Sequence, residues 1–122
     1  MTTIESSIYA LLRGLVANRC YPDITPDNPV FPLIVYQVVG GQALEWLDRT
    51  LPDSENYRVQ VMCWSKSRKD TNALALAVRK AVIEEGDDFD SAQTIGQAVS
   101  LYEEPIKAYG SRQDFSIWIK AR

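Results

Sequence analysis

Histidine is absent from all 122 residues. That absence removes the side chain best suited to moving protons near neutral pH, and the commonest metal ligand. A Ser-His-Asp or Cys-His arrangement is therefore impossible. Cysteine is scarce: Cys20 and Cys63 are the two, and neither has another cysteine close by in sequence. Two thiols alone do not complete a zinc site of the usual Cys/His kind. Isolated in this way, they read as reduced core residues rather than a disulfide. There is no excess of positive charge, since 13 Lys and Arg face 16 Asp and Glu for a net charge of −3. A dedicated nucleic-acid binder needs clustered basic residues to meet phosphates, and sequence recognition of nucleic acid is not expected here. Long apolar runs are missing too, and none approaches the roughly 20 residues needed to cross a bilayer. The start, Met1-Thr2-Thr3-Ile4-Glu5, lacks the basic and apolar segments of a secretory signal, so synthesis and folding in the cytoplasm are expected.

Several smaller features fall short of a chemical site. Gly40-Gly41 has neither the longer glycine pattern of a phosphate loop nor the Lys-Ser/Thr that follows it. The carboxylates Asp23, Asp27, Glu103 and Glu104 are scattered, and neighbours such as Glu103 and Glu104 point to opposite faces of a strand. Asp87-Asp88-Phe89-Asp90 lacks the glycine and terminal glutamate of an EF-hand loop. The basic run Lys66-Ser67-Arg68-Lys69 is answered at once by Asp70 and reads as a solvated helix start. No catalytic, cofactor-binding or metal site is expected.

What is present is a pattern of alternating periods. Its size fits one domain, 1–122, with a core of its own. Thr2 and Glu5 have the spacing of a capping box, and Ile4, Ile8, Leu11, Leu12 and Leu15 then form a helical stripe that stops near Asn18. Four prolines between Tyr21 and Pro32 make a connector. It leads to the β-branched run Leu33–Val39, which reads as a buried strand. Gly40-Gly41 is the expected turn, with a second strand at Ala43–Leu47. After the polar loop Pro52–Asn56, Tyr57, Val59, Val61 and Cys63 face one way while Arg58, Gln60, Met62 and Trp64 face the other. Ser67 and Asp70 open a second helix whose stripe is Leu74, Ala77, Val78, Ala81 and Val82, with Gly86 suited to the C′ position. Strands near Gln97–Glu103 and Gln113–Lys120 follow, separated by Pro105 and Gly110.

The expected fold is α+β, in the order α-β-β-β-α-β-β. Four to five strands form a single mainly antiparallel sheet with two helices packed on one face, because two single-striped helices cover only one face of such a sheet. Met62, Trp64 and Trp118 then point away from the helices, among Arg58, Gln60 and Lys120. Tryptophan and methionine among polar residues is an interface composition. The other reading is that Ala43–Asn56 folds back and covers them within the chain. The open sheet also leaves edge strands for pairing with a neighbour.

Cys20-Tyr21-Pro22-Asp23, Pro26 and Phe31-Pro32-Leu33-Ile34-Val35-Tyr36-Gln37 resemble the opening signature of the tail-completion (head–tail joining, tail terminator-like) family of long-tailed phages and prophages. Tyr57-Arg58-Val59-Gln60-Val61 with Trp64, Leu101-Tyr102-Glu103, and Arg112 with Asp114-Phe115-Ser116-Ile117-Trp118 follow in matching order and spacing. Leu33 stands where a tyrosine is more usual. The resemblance implies a small α+β subunit without catalytic residues or cofactor. Such a subunit caps the tail tube as a ring, a hexamer in related terminators, and meets the head connector proteins. It implies assembly in the host bacterial cytoplasm and a final place at the virion head–tail junction. Among the matched positions, Pro22 and Pro32 would shape the connector, Tyr36 and Trp118 would pack, and Arg112 would pair with Asp114. Neighbouring subunits would be met by an edge, by the Gly40–Asn56 excursion carrying Trp46 and Arg49, or by the tryptophan-bearing face with Arg58, Met62, Trp64 and Trp118. Two alternatives stand beside this: another head-closure or minor tail role, and a small-ligand-binding α+β domain with its pocket between helices and sheet.

Overall fold

A computed structural model describes residues 3–120. Thr2 lies outside that range, and the capping box within it is made by Thr3 and Ser6. The Thr3 hydroxyl accepts from the Ser6 amide, and the Ser6 hydroxyl accepts from the Thr3 amide, both at 3.1 Å. Helix α1 (Ile4–Leu12) tightens into a 3-10 turn at Arg13–Val16 and ends where Ala17 and Asn18 turn left-handed. The buried row runs at steps of four through Ile4, Ile8, Leu12 and Val16. Leu15 is 39% exposed where Val16 is 1% exposed, so the expected Leu11–Leu15 branch of the stripe faces outward at its end.

The connector hides a strand. Cys20–Pro22 is β1, paired in parallel with β2 (Leu33–Val38) in the register Cys20↔Ile34. Three residues ending in proline carry little strand signal, and the pairing is tolerated because β1 is an edge where a missing amide costs no ladder bond. The expected strand at Ala43–Leu47 is not formed, so the α-β-β-β-α-β-β order holds with a different segment supplying one strand.

The remaining strands are longer than their sequence patterns. Strand β3 spans Ser54–Ser65, β4 Phe89–Glu103 and β5 Ala108–Lys120. The sheet order is β1-β2-β3-β5-β4, antiparallel throughout except for β1 with β2. Two register shifts interrupt β4 against β5, at Phe89/Ser91 and Ile95/Val99. Gly96, at φ +68, sits in the second, and the buried Gln113 amide donates to the carbonyls of Ile95 and Gly96 at 3.3 and 3.0 Å. A side chain thus meets backbone groups at the point where the ladder is irregular.

Helix α2 (Arg68–Glu85) starts as its sequence indicates: Ser67 caps it, accepting from the Asp70 amide at 3.1 Å. Arg68 is not a purely solvated start. Its guanidinium donates to the carbonyls of Gly110 and Leu101 at 2.8 and 2.7 Å, tying α2 to β5 and β4. Gly86 ends the helix at φ −80 rather than left-handed, so the expected C′ geometry is absent. What excludes a larger residue there is space, since a Cβ would collide with the Phe89 ring.

Both helices pack on one face of the sheet, as expected. Ile4, Ile8, Leu12, Val78 and Val82 meet Ile34, Val59, Val61, Phe115 and Ile117 in the principal core. Removing a side chain of this size from water stabilises the fold by about 1.5–3 kcal/mol.

Candidate functional site

The face away from the helices is built by alternation. Cross-strand register places Trp64 opposite both Leu33 and Gly110, Met62 opposite Val35 and Arg112, and Asn56 opposite Trp118. At one end of this face Leu33, Val35, Trp64 and Ala108 form a second buried cluster, against which Tyr21, Phe31, Met62 and Leu101 pack. Trp64 is only 8% exposed. Gly110 is what lets it lie flat on β5, because a Cβ there would stand 2.6 Å from the indole. Most of this tryptophan is therefore covered within its own chain. Residues 21 and 31, at either end of the connector, help to cover it, not Ala43–Asn56. Met62 is half-buried beside it, and Trp118 is half-buried at the opposite end of the sheet.

Arg58 remains on the surface but is engaged. Its Nη2 and Nε lie 2.7 and 2.9 Å from Asp114 Oδ2. The expected partner of Asp114 was Arg112, two residues along the same strand. The observed pairing runs diagonally across β3 and β5, where Arg58 faces Ser116 and Gln60 faces Asp114.

Between β2 and β3 the chain leaves the sheet as an arm. Pairing continues past β2 through Val39 and Gly40, with Arg58 donating to the Gly40 carbonyl at 2.7 Å. Gly40-Gly41 is thus the root of the arm rather than a tight hairpin turn. Gly41, at φ +142, crosses so close to β3 that a Cβ would collide with the Asn56 backbone carbonyl. The buried Asn56 side chain fixes this crossing: its oxygen accepts from the Gln42 amide at 2.9 Å, and its nitrogen donates to Ser116 Oγ at 3.0 Å. The tip closes by bonds from Trp46 N to the Thr50 carbonyl and from Arg49 N to the Trp46 carbonyl, at 3.0 and 2.9 Å. Asp48 braces it, accepting from the Thr50 hydroxyl at 2.6 Å, and these Thr50 bonds hold its carboxyl below the ordinary 3.8.

Every residue from Val39 to Leu51 is exposed. Among them Leu44, Trp46, Leu47 and Leu51 are large and apolar, with Trp46 at 61% and Leu47 at 105% exposure. A tight turn braced by polar bonds while presenting bare leucine and tryptophan is unusual for a surface with no contact to make. Trp46 and Arg49 come together here, whereas Arg58, Met62, Trp64 and Trp118 lie on the sheet and do not join them.

At the other end of β2 and β3 lies a groove of about 370 Å³, floored by Trp64 and walled by Pro26, Pro29, Phe31 and Ile106, with Asp27 and Glu103 on its lining. No sequence pattern marks it, because it needs the connector, β3 and the β4–β5 turn side by side. Between α1 and the end of α2 is a smaller recess of about 190 Å³ with Asp87 and Asp88. Ser7 donates to Asp88 there at 3.1 Å, fastening the α2–β4 turn to α1. Among the described residues, no three Asp, Glu or Cys side chains gather as a metal-holding group. No helix among them is long and apolar enough to cross a membrane.

No curated protein matches the chain. Among solved structures it is similar to a chain of the virion of native gene transfer agent (GTA) particle, with TM-score 0.59 and 14% identity. The similarity covers 97% of this chain and 95% of that one, and at such identity it speaks to the fold alone. The family model described as tail completion protein gp17 matches residues 6–120. The chain belongs to this tail-completion family, and its role is that of a structural component of a phage tail.

Proposed function

We propose that the subunit acts as one member of a ring that caps the tail tube, ends its growth and docks it to the head connector, working by contact rather than catalysis. Its partners are further copies of itself, the tail tube protein and the connector proteins, and its place is the head–tail junction. The observation that carries this reading is the arm. Four large apolar side chains stand in solvent on a turn whose root and tip are each fixed by hydrogen bonds. Burial of such side chains at an interface supplies association energy with little left to order. Family membership supports the place in the particle.

Electron microscopy of particles tests the reading. Without the subunit, tails should be abnormally long or headless. Supplying it should restore joined particles with a ring of density at the junction. Trp46→Ala or Arg49→Ala should leave a folded subunit that fails to restore them. Normal joining in the absence of the subunit would remove the proposed role.

A further inference from the structure

Resting on the ring reading, we infer that the groove floored by Trp64 receives the arm tip of the adjacent copy, so that neighbours join head to tail. Arm and groove occupy opposite ends of the same strands. The arm leaves β2 after Val38, and the groove lies where Leu33 and Trp64 pair. Those ends are separated by roughly 17 Å along β2, at about 3.3 Å per residue. No arm residue lines the groove of its own chain.

The two surfaces match in chemistry. The groove offers prolines, Phe31, Trp64 and Ile106 to an apolar insert, and Asp27 and Glu103 to a cation. The arm tip carries Trp46, Leu47 and Arg49 within four residues, all exposed. An indole against proline and aromatic walls with a guanidinium on carboxylates is the usual make-up of a well-anchored contact. Lys66, beside the groove, is already engaged with the Ile106 carbonyl at 2.7 Å and the Phe31 ring at 4.7 Å. It therefore braces the wall and leaves the carboxylates to an incoming Arg49. A contact between different patches of identical subunits repeats from copy to copy and closes when the rotation permits a ring.

The test uses particles assembled with a Leu47→Cys/Ile106→Cys subunit. Both positions are exposed, and the native Cys20 and Cys63 are buried, so they contribute no cross-links. Oxidation should give a ladder of covalently joined copies that rises beyond the dimer, with none from either single variant. In parallel, Arg49→Glu and Glu103→Arg should each lower joined particles at least about tenfold, and the double variant should recover most of the loss. Particles that carry a ring of the subunit yet give no ladder, or a ladder ending at the dimer, would overturn the groove assignment and leave the ring intact. A bond from position 47 to a tube or connector protein would overturn it as well. Particles with no ring at all would instead overturn the proposed function.

Discussion

Cys20 and Cys63 flank Ile34 on neighbouring strands, both buried, and burial pushes each thiol from its ordinary 9.0 up to about 12. Burial raises the Tyr36 hydroxyl in the same direction. A raised thiol pKa means that the fold favours the protonated form. Stability from these groups is complete below pH 9.0 and is lost as the pH climbs toward about 12. Alkaline titration of unfolding free energy should therefore show a fall across that window, and Cys63→Val should flatten part of it. Thiol reagents at pH 8 should label neither cysteine until the protein is denatured, as measured by mass spectrometry. Phe115 is the largest fully buried side chain, and Phe115→Ala should cost about 3–5 kcal/mol in urea unfolding.

The arm and its anchor form the element on which the proposed ring depends. Gly41 combines a positive φ with an approach to Asn56 that admits no side chain. Gly41→Ala should therefore cost about 1–3 kcal/mol, or displace the arm from β3, read as faster hydrogen exchange at the Gln42 and Arg58 amides. Asp48 belongs to the same element, and its lowered carboxyl sets the sign of an acid effect. The bracing of the tip is present above the ordinary 3.8 and is lost as the pH falls below it. The glycine pair and the polar residues around it were legible in the sequence as a break in the strand. That the break is an arm and not a hairpin was not legible, because the Asn56 and Gln42 bond joins residues whose proximity only the β2–β3 register creates.

For the molecule as a whole, the core and the proposed assembly surface are built from different residues. Neither buried cluster includes a residue of the arm. Replacing the exposed residues 42–51 by a short Gly-Ser turn should leave the thermal unfolding midpoint within a few degrees of the parent, measured by circular dichroism. The same variant should abolish head–tail joining in particles. If it unfolds instead, the arm contributes to the fold in a way its exposure does not reveal. The long edge strand β4 bears on the same separation. Two register shifts break its ladder with β5, and an edge so irregular is a poor template for a further strand.

The sequence by itself determined the elements with strong periods: the cap and stripe of α2, the alternation along β3 and β5, and the division of the sheet into two faces. Each is decided by neighbours within a turn or a pleat, so local order suffices. Tertiary structure alone decided the rest. Strand β1 is too short and proline-bound to announce itself and exists because β2 offers it an edge. Trp64 sits on the face its alternation assigns, but connector residues distant in sequence cover it. Arg58 found Asp114 across two strands in place of the Arg112 that lay nearer along the chain. In each case the deciding contact joins residues whose separation in sequence carries no periodic trace, so its outcome was fixed only when the strands took their register.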